Sequence, residues 1–207
     1  MNFESLIFDI DGTLWDSRAI VAEAYNTQLR KEGLGHLSVD VALLTTVFGR
    51  TNMEIANILF ASLPEPERYP LLERCMEQEN RNLYLNECRI GYPKVKETLE
   101  QLHRKHRLFI VSNSQIGYPQ LCMDKLGLTY LFSGDLCFGQ TMTSKGETIK
   151  RLMEEHNITS ACYIGDTAGD LEASDFVGIP FVFCTYGFGK ADRYWKKIDR
   201  FEELLSL

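Results

Sequence analysis

The chain has 207 residues, of which 44% are hydrophobic and 25% charged, and its formal net charge is -7. That size and composition suit one well-buried core with room for a small accessory domain. The negative balance argues against nucleic acid and anionic membrane surfaces as partners, because both would be repelled. A small anionic substrate stays open, since a bound cation and a few local positive groups reverse the sign inside one pocket.

The first residues carry no basic stretch leading into an apolar one, and no segment has the length of a membrane span, so the sequence predicts a cytoplasmic protein. Leu6-Ile7-Phe8 is a short apolar run ending in acids and glycine, which predicts a buried parallel strand followed by a loop. From Asp16 to Leu85 the character is helical: Ile20, Val21, Ala24, Tyr25 and Leu29 recur at three- and four-residue spacing until Gly33 and Gly35. Residues 39–47, 52–61 and 67–85 predict further helices, with Pro64-Glu65-Pro66 as a break.

After Tyr92-Pro93 the pattern alternates. Helices are predicted over 94–106, 118–126, 145–156 and from Ala168, and strands over 108–111, around 131–132 and 136–138, over 161–164 and over 179–184. Strands alternating with helices imply βαβ units and a mainly parallel sheet. The expected fold is therefore α/β: a Rossmann-like three-layer core with a central parallel sheet, residues 1–15 and 86–207, interrupted by an α-helical cap, residues 16–85. Six cysteines (Cys75, Cys88, Cys122, Cys137, Cys162 and Cys184) form no C-x-x-C pair and predict reduced thiols, with Cys162 in strand core. His103 and His106 are expected to share a solvated helix face. Trp15 and Tyr186 read as packing residues.

In open parallel sheets the ligand lies beyond the carboxyl ends of the strands. Asp9 and Asp11 follow the first strand, Ser112 and Asn113 another, and Gly165, Asp166 and Asp170 a third, so three polar clusters converge on one edge. Two acids flanking one residue at a strand end are costly unless a cation neutralises them. Oxygen-only ligation by carboxylates suits Mg²⁺. Asp166 and Asp170 stand one helical turn apart and can reach the same ion. Lys145 opens a helix and offers a fixed positive charge.

These residues resemble, in order, the four motifs of the haloacid dehalogenase-like hydrolase superfamily, and within it the phosphoglycolate-phosphatase-like branch. They are Asp9-Ile10-Asp11-Gly12-Thr13-Leu14-Trp15-Asp16-Ser17, Ile110-Val111-Ser112-Asn113, Ser144-Lys145-Gly146, and Gly165-Asp166-Thr167-Ala168-Gly169-Asp170. The resemblance covers essentially the whole chain. It implies a Mg²⁺-dependent phosphatase acting on a small phosphorylated metabolite. Asp9 would be the nucleophile and Asp11 the acid and base. Ser112 and the backbone at Asn113 would hold the phosphoryl oxygens, and Lys145 would balance their charge. Asp9, the carbonyl of Asp11, Asp166 and Asp170 would hold the metal, Asp170 directly or through water. Thr13 and Arg50 join Asn113 as expected substrate contacts, Arg50 because caps of this family carry a substrate loop at that point.

Departures from the sister branches narrow the chemistry. Dehalogenases lack the second acid of the first motif, which Asp11 supplies. Phosphonate-cleaving relatives use a cap lysine, and Arg50 cannot form a Schiff base. Sugar-phosphate mutases carry valine and histidine where Thr13 and Val21 stand. Ser174-Asp175 replaces the Ala-Gly usual in relatives, which loosens the link to phosphoglycolate itself. A phosphotransferase or mutase, and a non-catalytic binding protein on the same scaffold, are the alternatives. Oligomeric state is not legible.

Overall fold

A computed structural model describes residues 3–87 and 90–207, so Cys88 lies outside the described residues. The chain divides into two compact units, Met1–Asp16 with Gly91–Leu207, and Ser17–Ile90.

The first unit is built on a sheet whose central strands are apolar end to end, as burial on both faces requires. β1 (Ser5–Phe8), β2 (Arg107–Ser112), β4 (Ala161–Gly165) and β5 (Phe181–Cys184) are buried almost throughout, while β3 (Phe132–Cys137) is partly exposed. With β6 (Lys196–Ile198) they form, among the described residues, a six-stranded sheet in the order β3-β2-β1-β4-β5-β6, every neighbouring pair parallel. The α/β expectation holds.

Alternation along the strands sorts the core. Ile7, Phe109, Val111 and Tyr163 pack with Ile149 and Leu152 of α8 (Lys145–Glu155) and Leu171 of α9 (Ala168–Val177). Phe8 points the other way, against Phe132 and Phe201. The chain runs outward through β2 and β3 by way of α5 (Val95–Leu102) and α6 (Tyr118–Leu126), then returns to β4 and runs outward on the other side. The switch point lies between β1 and β4, where Asp9 N–H donates to the Ile164 carbonyl at 2.9 Å.

Several boundaries differ from the sequence reading. β3 is one strand where two pieces were expected, and α7 (Phe138–Thr141) follows it directly. α5 ends at Leu102, so His103 and His106 lie in the turn beyond it, with His106 Nδ1 2.7 Å from the Phe3 carbonyl oxygen. β6 was not anticipated.

The second unit is helical: α1 (Arg18–Lys31), α2 (Val41–Val47), α3 (Asn52–Leu59) and α4 (Glu65–Leu85). Its own core comprises Val21, Leu29, Leu44, Phe60, Leu72 and Cys75, among others. Pro64 and Pro66 open α4 rather than breaking the chain, because first-turn positions need no amide hydrogen. Asp40 caps α2 by accepting from Leu43 N–H at 2.7 Å, and Thr51 and Glu54 form a capping box on α3.

Candidate active site

Three strand ends bring Asp9, Ser112 and Asp166 to one edge of the sheet, and α8 and α9 begin beside them. Lys145 is the first residue of α8, behind the capping box of Ser144 and Glu147. Its Nζ donates to Asp9 Oδ1 at 2.9 Å and to Asp170 Oδ1 at 2.6 Å. All three residues are buried. Burial by itself opposes the ammonium charge, but Asp170 and then Asp9 outweigh it and hold the pKa of Lys145 well above the ordinary lysine value. Tyr163 lies beneath, its ring centroid 5.8 Å from Nζ and its hydroxyl donating to the Val111 carbonyl at 2.8 Å.

Asp170 has two tasks. Oδ1 takes Lys145, while Oδ2 accepts from the Thr167 hydroxyl at 2.7 Å and from the N–H groups of Thr167 and Asp166 at 2.9 and 3.1 Å. Thr167, not Asp166, caps α9, and Asp170 completes its capping box. Asp166 is thereby released to point into the cluster. Its Oδ2 accepts from Phe188 N–H at 2.6 Å and Gly189 N–H at 3.2 Å. Its Oδ1 is buried with no hydrogen-bond partner among the described residues.

Asp9, Asp166 and Asp170 each offer an oxygen within 4.8 Å of the others. Burial, then the nearby Asp170, pushes the Asp166 carboxyl up to about 7, and burial above all pushes Asp9 well up. Clustered carboxyls driven toward neutrality, together with an orphaned buried oxygen, are what a divalent cation would relieve. The donor set is all oxygen, which fits a hard ion.

The remaining expected residues fall as follows. Asp11, half-buried, accepts at Oδ1 from Trp15 Nε1–H at 2.8 Å and from Tyr118 O–H at 2.9 Å. Thr13 is buried, and its carbonyl accepts from Tyr186 O–H at 3.0 Å. Ser112 is buried, with Oγ accepting from Ser114 N–H at 3.3 Å, and half-buried Asn113 follows it. Arg50 belongs to the helical unit. It is exposed, its Nε donates to the Thr46 carbonyl at 3.3 Å, and it lies 3.9 Å from Glu54.

Trp15 and Tyr186 are thus more than packing, since the polar tip of each serves the first-motif loop. Tyr118 and the loop Gly187-Phe188-Gly189 went unnoticed in the sequence. The loop follows β5 at the same sheet edge, so the strand-end rule could have found it. A Cβ on Gly12 or Gly187 would collide with the Asp166 side chain, so both glycines form the wall against which it rests.

Residues 6–184 match the haloacid dehalogenase-like hydrolase family. The chain is 29% identical over 222 residues to phosphoglycolate phosphatase of Photobacterium profundum, covering 98% of this chain and 94% of that protein. It is 25% identical over 202 residues to the Aliivibrio fischeri protein of the same name, covering 90% and 86%. The crystal structure of a predicted phosphoglycolate phosphatase from Haemophilus somnus has a TM-score of 0.85 at 25% identity, covering 100% and 98%. β-Phosphoglucomutase from Clostridium difficile shares the fold, with a TM-score of 0.79 at 16% identity over 98% and 93%. The chain belongs to the haloacid dehalogenase-like hydrolases, in their phosphoglycolate-phosphatase-like branch.

Proposed function

We propose that this hydrolase is a Mg²⁺-dependent phosphatase that cleaves a small phosphate monoester through an aspartyl phosphate on Asp9. The observation that carries the reading is the buried Asp9–Lys145–Asp170 chain beside the orphaned Asp166 Oδ1. It joins a nucleophile, a fixed cation and an unsatisfied metal ligand within one cluster.

Asp9, Asp166 and the backbone carbonyl of Asp11 would hold the ion, and Asp170, whose oxygens already serve Lys145 and Thr167, would reach it through water. Bound there, Mg²⁺ would keep the carboxylates ionised and draw charge from the phosphoryl oxygens. Asp9 attacks phosphorus while Asp11 gives its proton to the departing alkoxide. Asp11 then takes a proton from water, which attacks the aspartyl phosphate and releases inorganic phosphate. Lys145, the Ser112 hydroxyl and the Asn113 backbone hold the phosphoryl oxygens. Catalysis of this kind is mainly positioning and electrostatic stabilisation.

The curated relatives named phosphoglycolate phosphatase favour small phosphorylated acids as substrates. We assign the choice among esters to the helical unit, with Arg50 the first candidate to pair with a second anionic group. Five described cysteines are free and buried, and burial pushes the thiols of Cys75 and Cys162 up to about 12. Inert, reduced thiols fit the cytoplasm, and no helix among the described residues is long and apolar enough to cross a membrane.

The test is a panel of phosphate esters, with phosphoglycolate, nucleotides, pyrophosphate and sugar phosphates compared by kcat/KM with and without Mg²⁺. Release of free phosphate that requires the ion supports the reading. Interconversion of phosphosugars with little free phosphate would replace it with a mutase.

A further inference from the structure

Tyr163 is fully buried in the middle of β4, and its side chain joins two strands that are not neighbours. In the order β2-β1-β4, β1 separates the other two, so their backbones lie about 10 Å apart. Ile7 of β1 is paired with both Tyr163 and Phe109, which puts these three side chains at one level of the sheet. The Tyr163 hydroxyl reaches further. It donates to the carbonyl of Val111 at 2.8 Å, two residues beyond Phe109 toward the catalytic edge. The ring therefore spans β1 on the face that packs against Ile149 and Leu152 of α8, and it comes to lie under Lys145, whose Nζ is 5.8 Å from its centroid.

The two ends of this contact meet the two side chains assigned to the phosphoryl oxygens. The Val111 carbonyl belongs to the peptide unit that ends at the Ser112 Cα, and that unit is planar. A donor on the carbonyl oxygen thus fixes the plane from which the buried Ser112 side chain starts. Lys145 begins α8, and its ammonium is drawn to Asp9 and Asp170. The aromatic ring beneath attracts the cation and, being rigid, limits how far the ammonium can sink into the core.

We propose that Tyr163 is a positioning residue that sets the spacing between Ser112 and Lys145, pinning one through its hydroxyl and supporting the other with its ring. This rests on the reading of those two residues as holders of the phosphoryl oxygens. Tyr163 needs to touch neither substrate nor ion. The phosphoryl group is common to every ester, so an error in this spacing weakens all substrates alike, whatever group leaves.

The experiment measures inhibition by inorganic phosphate, and kcat/KM for glycerol phosphate and acetyl phosphate, on the full chain with Mg²⁺. Tyr163→Phe keeps the ring and removes the pin. It should weaken phosphate inhibition and lower kcat/KM on both substrates by about 3–10-fold, the weight of one hydrogen bond. Its Mg²⁺ affinity, read by titration calorimetry, should stay within about twofold of the parent, short of the loss that follows when a metal site loses its support. Ser112→Ala is measured alone and combined with Tyr163→Phe. If the hydroxyl acts through Ser112, adding Tyr163→Phe to Ser112→Ala costs less than about a further twofold, where independent effects would multiply. Tyr163→Leu removes the ring as well and should lose more than Tyr163→Phe. Thermal melting checks that each variant is folded, and Tyr163→Phe decides alone if Tyr163→Leu is not. Multiplied losses in the double variant, no loss in Tyr163→Phe, a loss on one substrate only, a matching loss of Mg²⁺ affinity, or a folded Tyr163→Leu no worse than Tyr163→Phe would overturn the positioning role. If Ser112→Ala itself leaves phosphate inhibition unchanged, the reading of the phosphoryl site falls and the positioning role with it.

Discussion

The two units of this chain hold their candidate functional side chains in opposite ways. In the α/β unit, Asp9, Asp166, Asp170 and Lys145 are buried, and each is fixed by partners brought from distant parts of the sequence. In the helical unit Arg50 is exposed and tied to near neighbours, Thr46 and Glu54 four residues away on either side. The first arrangement stores electrostatic strain in a rigid frame, which is what a chemical step needs. The second leaves side chains cheap to replace, which is what a changeable selectivity needs. The proposed reading accordingly places the chemistry at the sheet edge and the choice of ester on the exposed surface of the helical unit.

The contrast can be broken at several points. The largest effect is expected for Asp9→Asn, which should lower turnover by at least about 10³-fold with the fold intact by circular dichroism. Retained turnover would move the nucleophile elsewhere. Next comes the ion. Chelation should abolish turnover, and Mg²⁺ should restore it and raise the melting temperature, by an amount equivalent to about 2.7 kcal/mol at a concentration 100 times its dissociation constant.

The metal-free protein should also show an inverted pH dependence of stability. Asp166 titrates near 7 when folded against an ordinary value of 3.8, chiefly through burial. Between those values the native state binds more protons than the unfolded one, so metal-free stability falls as pH rises. Mg²⁺ should flatten that slope. Thermal melts at pH 4.5 to 7 with and without the ion would show it, and a metal-free slope of the opposite sign would count against the buried cluster.

Smaller effects separate wall from chemistry. Gly187→Ala places a methyl group where the Asp166 side chain lies, and should weaken Mg²⁺ binding by about 10–100-fold, read by titration calorimetry. Arg50→Ala should lower kcat/KM for a substrate with a second anionic group by about 10-fold, the loss of one charge-assisted contact, and leave acetyl phosphate unaffected. An unchanged preference would remove Arg50 from the account of selectivity. Smallest of all, Asp40→Ala removes the cap on α2 and should cost about 1 kcal/mol of stability without altering kcat.

How much was legible follows from the same division. Asp9, Ser112, Lys145 and Asp166 could be found because each sits at a strand end or helix start, and local sequence marks such places. The buried strands were visible as apolar runs. β6 was not, because Lys196-Lys197-Ile198 is an edge strand whose charges blunt its hydrophobic signal. Trp15 and Tyr186 read as packing because aromatic residues in apolar surroundings usually are, and Tyr118 passed unnoticed. The contact from Tyr118 to Asp11 spans 107 positions, and no spacing rule reaches that far. Asp170 read in the sequence as a metal ligand, while its ion pair with Lys145, 25 positions away, stayed hidden until the fold brought the two together.

Passage of the phosphoryl group through Asp9 can be trapped by acid quenching during steady turnover with Mg²⁺, followed by borohydride reduction and peptide mapping. An acyl phosphate on Asp9 would be reduced to homoserine, so homoserine at that position, absent without substrate, is the predicted result. Continued phosphate release with the Asp9 carboxyl unmodified, or reduction at another acid, would contradict it.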